Sequence, residues 1–277
     1  KAILNQHAES YRKIRNTLRF LLGNLNDKLL NDDFSKIEYS KLSSLEKYIL
    51  TQVYDFDLRF RDYIKSYNFH KIYIELLNFC TLDLSAFYFD IKKDILYCDS
   101  ENSQRRNNCL EILNVLINFL LKWFSPILSF TSEEAYQVIK NKKYKSIHLQ
   151  DFPVIPLMWN NSEIKNKWIG IKKVKQVVNA AIEDIRNKKI IGSSLEANVI
   201  VYLKDEYLNI IKQEDLSEIF ICSEAKAESF INQNDLFSLK DVEGIAVKIL
   251  KAKGQKCSRC WKILEKPCSR DICGLKN

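Results

Sequence analysis

The sequence predicts a mainly α-helical fold: an antiparallel helical bundle, then a small α/β domain, then a short cysteine-rich tail. Its 277 residues exceed what one ordinary core organises. Only 6 Gly and 4 Pro are present, which disfavours a turn-rich all-β fold. Apolar residues recur at helical spacing as far as about residue 150 and form short β-rich runs farther on. The predicted parts are a bundle at residues 1–150, a linker and long helix at 151–190, an α/β domain at 191–255 and the tail at 256–277.

The first predicted helix covers about residues 7–25. At 100° per residue, four apolar side chains fall within about 60° of one another: Ile14, Leu18, Leu21 and Leu25. Arg12, Arg15 and Arg19 form a second face, turned about 120° from the first. We therefore expect one side to pack and the other to offer guanidinium groups. Gly23 predicts a bend or a close helix approach.

Four more helices complete the predicted bundle, at residues 44–67, 69–85, 102–124 and 132–140. Ser43 or Ser44 can cap the first of them, with Glu46 or Lys47 in its opening turn.

A proline separates the last two predicted helices of the bundle. Pro126 ends the helix before it, and Thr131 or Ser132 predicts the next helix start. Glu133 and Glu134 would then lie at a helix N-terminus, where carboxylates stabilise the helix dipole without any catalytic role.

The second half of the chain changes pattern. Residues 151–156 carry two of the prolines and predict a linker, and residues 162–188 predict a long helix. Three short β-rich runs follow, separated by two helical stretches, which indicates a small α/β unit. The predicted strands are residues 198–203, 219–222 and 245–250, and the predicted helices are residues 206–213 and 233–239.

Positive charge is concentrated at two places. The net charge is +8, and the last 32 residues hold nine Lys or Arg against two acids. The second cluster is Arg12, Lys13, Arg15 and Arg19. Two such clusters on a balanced surface indicate a polyanionic partner, most simply a nucleic acid, whereas one alone would suggest only a solvated face.

The sequence lacks the patterns of several enzyme classes. No glycine-rich phosphate loop is present, and the three histidines, His7, His70 and His148, are too far apart for a local metal motif. The most apolar stretch, residues 112–130, is interrupted by two Asn and a Lys, so it is a poor membrane span. We predict no catalytic residue and interpret the chain as a binding module without a membrane partner.

The eight cysteines divide into two groups. Four are scattered and predicted to be reduced thiols: Cys80, Cys98, Cys109 and Cys222. Four fall within 17 residues: Cys257, Cys260, Cys268 and Cys273. The two-residue gap between Cys257 and Cys260 is typical of a tetrahedral Zn²⁺ site. Lys276 stands where Cys273 would need a partner, so either Cys268 is the fourth ligand or the site has lost its metal; a disulfide is a further alternative.

Six segments together resemble, in the same order, the anticodon-binding part of bacterial isoleucyl-tRNA synthetases. They are residues 11–25, residues 89–97 followed by Arg105 and Arg106, residues 125–134, residues 147–152, residues 191–197 and residues 256–261. The resemblance covers nearly the whole chain but only the C-terminal part of such an enzyme. It implies the helical anticodon-binding domain of class Ia synthetases, followed by a terminal zinc finger whose second CxxC is altered here at Lys276.

The resemblance also implies a role. The intact enzyme attaches isoleucine to its tRNA with ATP, and the catalytic and editing domains are expected to precede residue 1, since the HIGH- and KMSKS-type motifs are absent and the chain begins without Met. We expect tRNA(Ile) as partner, Zn²⁺ as cofactor, no ATP site, a cytoplasmic location and a monomer. The implied tRNA contacts are Arg12, Lys13, Arg15, Arg19, Arg105, Arg106, Arg259, Trp261 and Lys262. Trp261 would either stack on a loop base or cover the metal site.

Three rivals stay open. A valyl, leucyl or methionyl synthetase shares the helical bundle, although residues 191–197 and 256–261 favour isoleucine. A free-standing tRNA-binding module acting in trans is the second. A DNA-repair glycosylase has a similar terminal finger but needs an N-terminal catalytic proline, and the first proline here is Pro126.

Overall fold

The structure, a computed structural model, describes residues 2–25, 33–140, 142–231, 235–270 and 273. The chain forms two compact units. The first consists of Lys1–Leu96 with Glu101–Asn161, and the second of Tyr97–Ser100 with Ser162–Asn277. The finer division predicted from the sequence, with a separate linker and a separate tail, stays a prediction.

The first unit is helical, as predicted. Its helices are α1 (Ala2–Asn24), α2 (Ser44–Lys65), α3 (Phe69–Asn78), α4 (Asp90–Cys98), α5 (Gln104–Phe124) and α6 (Ser129–Gln137). The last two residues of α4 belong to the second unit. A π-helical segment, Phe79–Phe89, joins α3 to α4, so the helix predicted to end at Ser85 continues to Cys98. Short 3₁₀ turns occur at Phe34–Lys36, Tyr39–Lys41, Ile147–Leu149 and Leu157–Trp159.

Helix α1 packs through the predicted face. Ile14, Leu18, Leu21 and Leu25 are all buried. The close helix approach predicted at Gly23 is wrong, because a Cβ placed there would have no heavy atom of the described residues within 4 Å. The alternative, a bend of the helix at this glycine, stays a prediction.

The core of the first unit is centred on Trp123 of α5, which is fully buried. Its ring centroid lies 4.5 Å from that of Phe56 and 5.2 Å from that of Phe119. Its indole nitrogen donates a 3.0 Å hydrogen bond to Asp57 Oδ1. The polar edge of this large aromatic side chain is thereby satisfied inside the bundle.

The N-terminus of α2 carries the predicted cap. Ser43 Oγ accepts from the Glu46 amide, and Glu46 Oε2 accepts from the Ser43 amide at 2.8 Å, which makes a capping box. The other oxygen of Glu46 lies 2.8 Å from Lys92 Nζ, and both side chains are 3% exposed. One carboxylate thus caps a helix and neutralises a buried ammonium group.

Among the described residues one helical run, Phe69–Cys98, is long and apolar enough to cross a membrane by length and composition alone. In the most apolar 18-residue stretch of this run, 44% is buried, and Ile72, Leu76 and Leu84 are fully buried. A core helix of a bundle has the same properties. The absence of a membrane partner stays a prediction.

The second unit has a long helix and a four-stranded sheet. Its elements are α7 (Ser162–Asn187), β1 (Ala197–Leu203), α8 (Asp205–Ile211), α9 (Leu216–Ile219), β2 (Glu224–Ser229), β3 (Phe237–Leu239), β4 (Val242–Lys251) and a hairpin of β5 (Gln255–Lys256) and β6 (Ile263–Leu264), with a 3₁₀ turn at Ser194–Glu196. The strand order is β2-β1-β4-β3, with β1 parallel to β2 and antiparallel to β4. Helix α7 packs on β4.

Two predicted elements of this unit are wrong. Residues 219–222 are not a strand, since Ile219 ends α9 and the next three residues form a turn whose Phe220 and Cys222 are buried. Residues 237–239 are a strand, β3, paired with β4, where a helix was predicted. Gln233 and Asn234 of that predicted helix lie outside the described residues.

Candidate nucleic-acid interface and thiol cluster

The basic face of α1 is exposed except for Arg15, which is partly buried. The guanidinium of Arg15 donates to both carboxylate oxygens of Glu134, at 2.7 and 2.9 Å, and to Tyr11 Oη at 3.2 Å. Hydrogen bonds from Arg15 hold the pKa of Glu134 below its usual range. Hydrogen bonds with Thr131 and then Arg15 lower the pKa of Tyr11.

The other three cations of this face differ in their partners. Arg12 forms an ion pair with Glu9 one turn earlier on the helix. Lys13 and Arg19 have no acidic partner among the residues that the structure describes. Two of the four predicted phosphate-binding groups are therefore available at once, and two are held by exposed carboxylates.

Glu133 and Glu134 do not cap a helix. Helix α6 begins at Ser129, so neither residue lies in its first turn and the predicted dipole role is wrong. Glu133 Oε2 instead accepts from Ser146 Oγ at 2.8 Å and from the Ile147 amide at 3.0 Å. Burial raises the pKa of Glu133, but these hydrogen bonds, together with one from Gln137, outweigh it and lower that pKa.

Arg105 and Arg106 occupy the first turn of α5, which Ser103 caps through its hydroxyl. Arg105 is exposed, whereas Arg106 donates from Nε to the carbonyl oxygen of Leu96 at 3.3 Å. The two arginines therefore differ in exposure, since Arg106 is only partly exposed.

The structure brings the four C-terminal cysteines together. The Sγ atoms of Cys257, Cys260, Cys268 and Cys273 all lie within 4.8 Å of one another, and Cys260 and Cys268 are 4.0 Å apart. A tetrahedral zinc site with bonds of about 2.3 Å places its sulfurs about 3.8 Å apart. The four thiols therefore fit a Zn²⁺ ion after small adjustments. Cys268 is the fourth sulfur of this group.

The first two thiols, Cys257 and Cys260, lie on a tight turn between the two strands of a short hairpin. The Trp261 amide donates to the Cys257 carbonyl at 3.0 Å, which closes the turn between the first two thiols. Gly254 has φ of +118°, and a Cβ there would lie 2.1 Å from the Leu264 carbonyl oxygen. Only glycine allows this approach of β5 to β6. Burial raises the pKa of Cys257, but amide hydrogen bonds from Cys260 and Arg259 outweigh it and lower that pKa to about 7.

A fifth thiol, which the sequence spacing did not reveal, belongs to the same buried cluster. Cys98 is 5% exposed and packs with Cys260 and Cys273. Arg259 donates from Nη2 to the Tyr97 carbonyl at 2.8 Å, and Cys98 Sγ lies 3.9 Å from the Arg259 carbonyl. Cys98, predicted only as one of four scattered reduced thiols, is therefore part of this buried cluster. No local sequence pattern relates position 98 to position 260.

The aromatic residue of the tail faces solvent. Trp261 is 60% exposed, and Lys256 Nζ lies 5.9 Å from its ring centroid. Lys262 points instead toward Ser217 Oγ, at 3.3 Å. Of the three tail residues predicted to contact RNA, only Trp261 presents most of its side chain to solvent.

The comparisons with known proteins all match tRNA ligases. Residues 46–201 match the family described as the anticodon-binding domain of tRNA ligase. The isoleucine–tRNA ligase of Pelagibacter ubique is 48% identical over 97% of this chain, and that of Agrobacterium fabrum is 39% identical over 95%. That of Syntrophomonas wolfei is 37% identical over 98%. The chain spans only 27–29% of the length of these relatives.

Proposed function

The chain belongs to the family of anticodon-binding domains of tRNA ligases, and on this premise we propose that it binds the anticodon stem-loop of isoleucine tRNA as the C-terminal part of an isoleucine–tRNA ligase. The observation that carries the proposal is the alignment with isoleucine–tRNA ligases over 95% or more of the chain, which extends beyond the matched family range. The complete enzyme would attach isoleucine to its tRNA with ATP in the cytoplasm. We assign it no membrane partner and expect a monomer.

The phosphate contacts would come first from the two cations of α1 that have no acidic partner in the described part of the chain. Lys13 and Arg19 project into solvent, and Arg12 and Arg15 would exchange exposed carboxylates for phosphate oxygens. Arg105, an exposed residue of the same unit, would add a further contact. Such contacts fix the position of the RNA without reading its sequence.

The cysteine-rich tail would recognise the bases of the anticodon. Cys257, Cys260, Cys268 and Cys273 would hold Zn²⁺, whose binding energy would fold a segment that has almost no core of its own. The exposed ring of Trp261 would stack on an unpaired anticodon-loop base. Arg106, Arg259 and Lys262 already contact protein oxygens, so they would have a smaller part in RNA binding. We propose no catalytic residue in this chain.

The test is binding of the zinc-loaded chain to isoleucine tRNA and to the same tRNA with an exchanged anticodon, at about 50 and 200 mM salt. Preference for the native anticodon, abolished by a chelator, is the expected result. Equal affinity for both tRNAs in the presence of zinc would contradict anticodon reading by this chain. Preference for a tRNA carrying a valine, leucine or methionine anticodon would instead change the assigned amino acid.

A further inference from the structure

A buried serine joins three distant parts of the second unit. Ser223 is 7% exposed and directly precedes β2. Its hydroxyl donates to the Leu195 carbonyl at 2.5 Å and accepts from the Ile263 amide at 2.7 Å. Its own amide donates to the Ala197 carbonyl at 3.1 Å. The side chain thus connects the turn before β1 with the hairpin that carries the thiols.

The hairpin needs such an anchor. Strands β5 and β6 are two residues each, and a ladder this short is unstable by itself in water. The Ile263 amide is the point where Ser223 holds β6. The adjacent contact from Lys262 to Ser217 Oγ is longer, at 3.3 Å.

Trp261 lies between this anchor and the thiol cluster. Its backbone has φ of +62°, a left-handed conformation that is disfavoured for a bulky side chain. Its amide is bound to Cys257 on one side, and two residues later Ile263 is bound to Ser223. Two fixed points therefore hold the strained residue with its ring in solvent.

We propose that Ser223 is a positioning residue for RNA recognition, which holds Ile263 so that the Trp261 ring is presented to an anticodon-loop base. This inference rests on the proposed function, because it assumes that Trp261 stacks on RNA. Ser223 touches no RNA atom in the proposal and acts only through the hairpin backbone. Nothing in the local sequence distinguishes Ser223 from a surface serine, since its two partners are 28 and 40 residues away.

The experiment compares the zinc-loaded full chain with its Ser223→Ala variant. Hydrogen exchange of the Ile263 amide should become about tenfold faster, as expected for loss of one buried hydrogen bond. The preference for the native anticodon should fall, while the salt-dependent part of the affinity stays. Ser223→Thr keeps a hydroxyl and should retain both the slow exchange and the anticodon preference. Ile263→Pro removes the donor of the same hydrogen bond and should reproduce the loss of anticodon preference.

Ser132→Ala is the matched control, because Ser132 is fully buried and its hydroxyl has no partner among the described residues. It should change neither measurement. Unaltered Ile263 exchange in Ser223→Ala would overturn the anchor, and faster exchange with full anticodon preference would overturn the positioning role. If Trp261→Ala keeps full preference, the stacking part of the proposed function fails, whatever the exchange rates show.

Discussion

The Arg15 guanidinium and the Glu134 carboxylate are joined at two points, with nitrogen–oxygen distances of 2.7 and 2.9 Å. The pair connects α1 to α6 inside the first unit, yet its side chains are 38% and 62% exposed. An exposed pair of this kind adds little to the free energy of unfolding, because solvent screens its charges. Glu134 therefore competes with phosphate for Arg15 at little structural cost.

Replacing Glu134 by Gln should strengthen RNA binding. Arg15 would no longer have to leave a carboxylate in order to bind a phosphate, so affinity should rise by up to about fivefold. The slope of log affinity against log salt should change little, because the number of phosphate contacts stays the same. Titration of labelled anticodon stem-loop at several salt concentrations measures both. Weaker binding by Glu134→Gln would mean that the ion pair orients α1 and does not compete with RNA.

Arg19→Ala should weaken binding to native and exchanged anticodons by the same factor. Arg19 has no acidic partner in the described part of the chain, so its removal deletes a phosphate contact without freeing a carboxylate. The salt slope should fall by about 0.7 to 0.9. Arg186→Ala is the control, since that arginine is already paired with Glu183 at 2.8 Å. A loss confined to one anticodon would show that Arg19 contacts bases.

Cys268→Ser should abolish tight metal binding. The serine hydroxyl is a poor zinc ligand, and the remaining three thiolates leave one corner of the tetrahedron open. Metal content after dialysis, and the thiolate-to-metal absorption of the cobalt-substituted protein, report the change. Cys80→Ala removes a buried thiol of the first unit and should retain one metal per chain. Full metal content in Cys268→Ser would exclude this residue as the fourth ligand.

Lys92→Met should lower the free energy of unfolding by about 3 to 5 kcal/mol, because it leaves the Glu46 carboxylate buried without its cation. Adding Glu46→Gln should recover part of the loss, since the amide carries no charge and still accepts from the Ser43 amide. Urea unfolding followed by circular dichroism measures both steps. A double variant no more stable than Lys92→Met would show that the pair is not the source of the loss.

Two glycines should respond oppositely to alanine. Gly23→Ala should raise the free energy of unfolding by about 0.5 kcal/mol, because the added methyl meets no atom of the described residues and alanine favours a helix. Gly254→Ala should disrupt the hairpin and weaken metal binding, because its Cβ would overlap a backbone carbonyl. Thermal unfolding and metal titration distinguish the two. An intact metal site in Gly254→Ala would mean that the hairpin is not needed to assemble the thiols.

Helical periodicity and local capping signals predicted most of the first unit. The buried face of α1 and the Ser43–Glu46 cap follow from residues three or four positions apart, which a helix necessarily brings together. The predicted start of α6, at Ser132, was three residues too late. The N-cap is Leu128, whose side chain makes no hydrogen bond to the helix. Such a start has no signature in the sequence.

The elements of the second unit were harder to predict from the sequence, for a physical reason. Residues 219–222 are apolar because they are buried in a turn, and burial alone does not distinguish a turn from a strand. Strand β2 has the sequence EAKAES, whose composition disfavours a strand and whose pairing with β1 comes from tertiary contacts. The Cys98 and Ser223 contacts join positions far apart in the chain, so no local pattern could have predicted them.

The position of β2 at the end of the strand order has a consequence for solubility. An outermost strand leaves backbone groups that a second chain can pair with, which is a common start of aggregation. Here Glu224, Lys226 and Glu228 are exposed and alternate along that strand with the less exposed Ala225 and Ala227. Extending the sheet with another copy in register would place like charges beside each other. The sequence that concealed this strand from prediction thus opposes pairing of the sheet edge with a second copy.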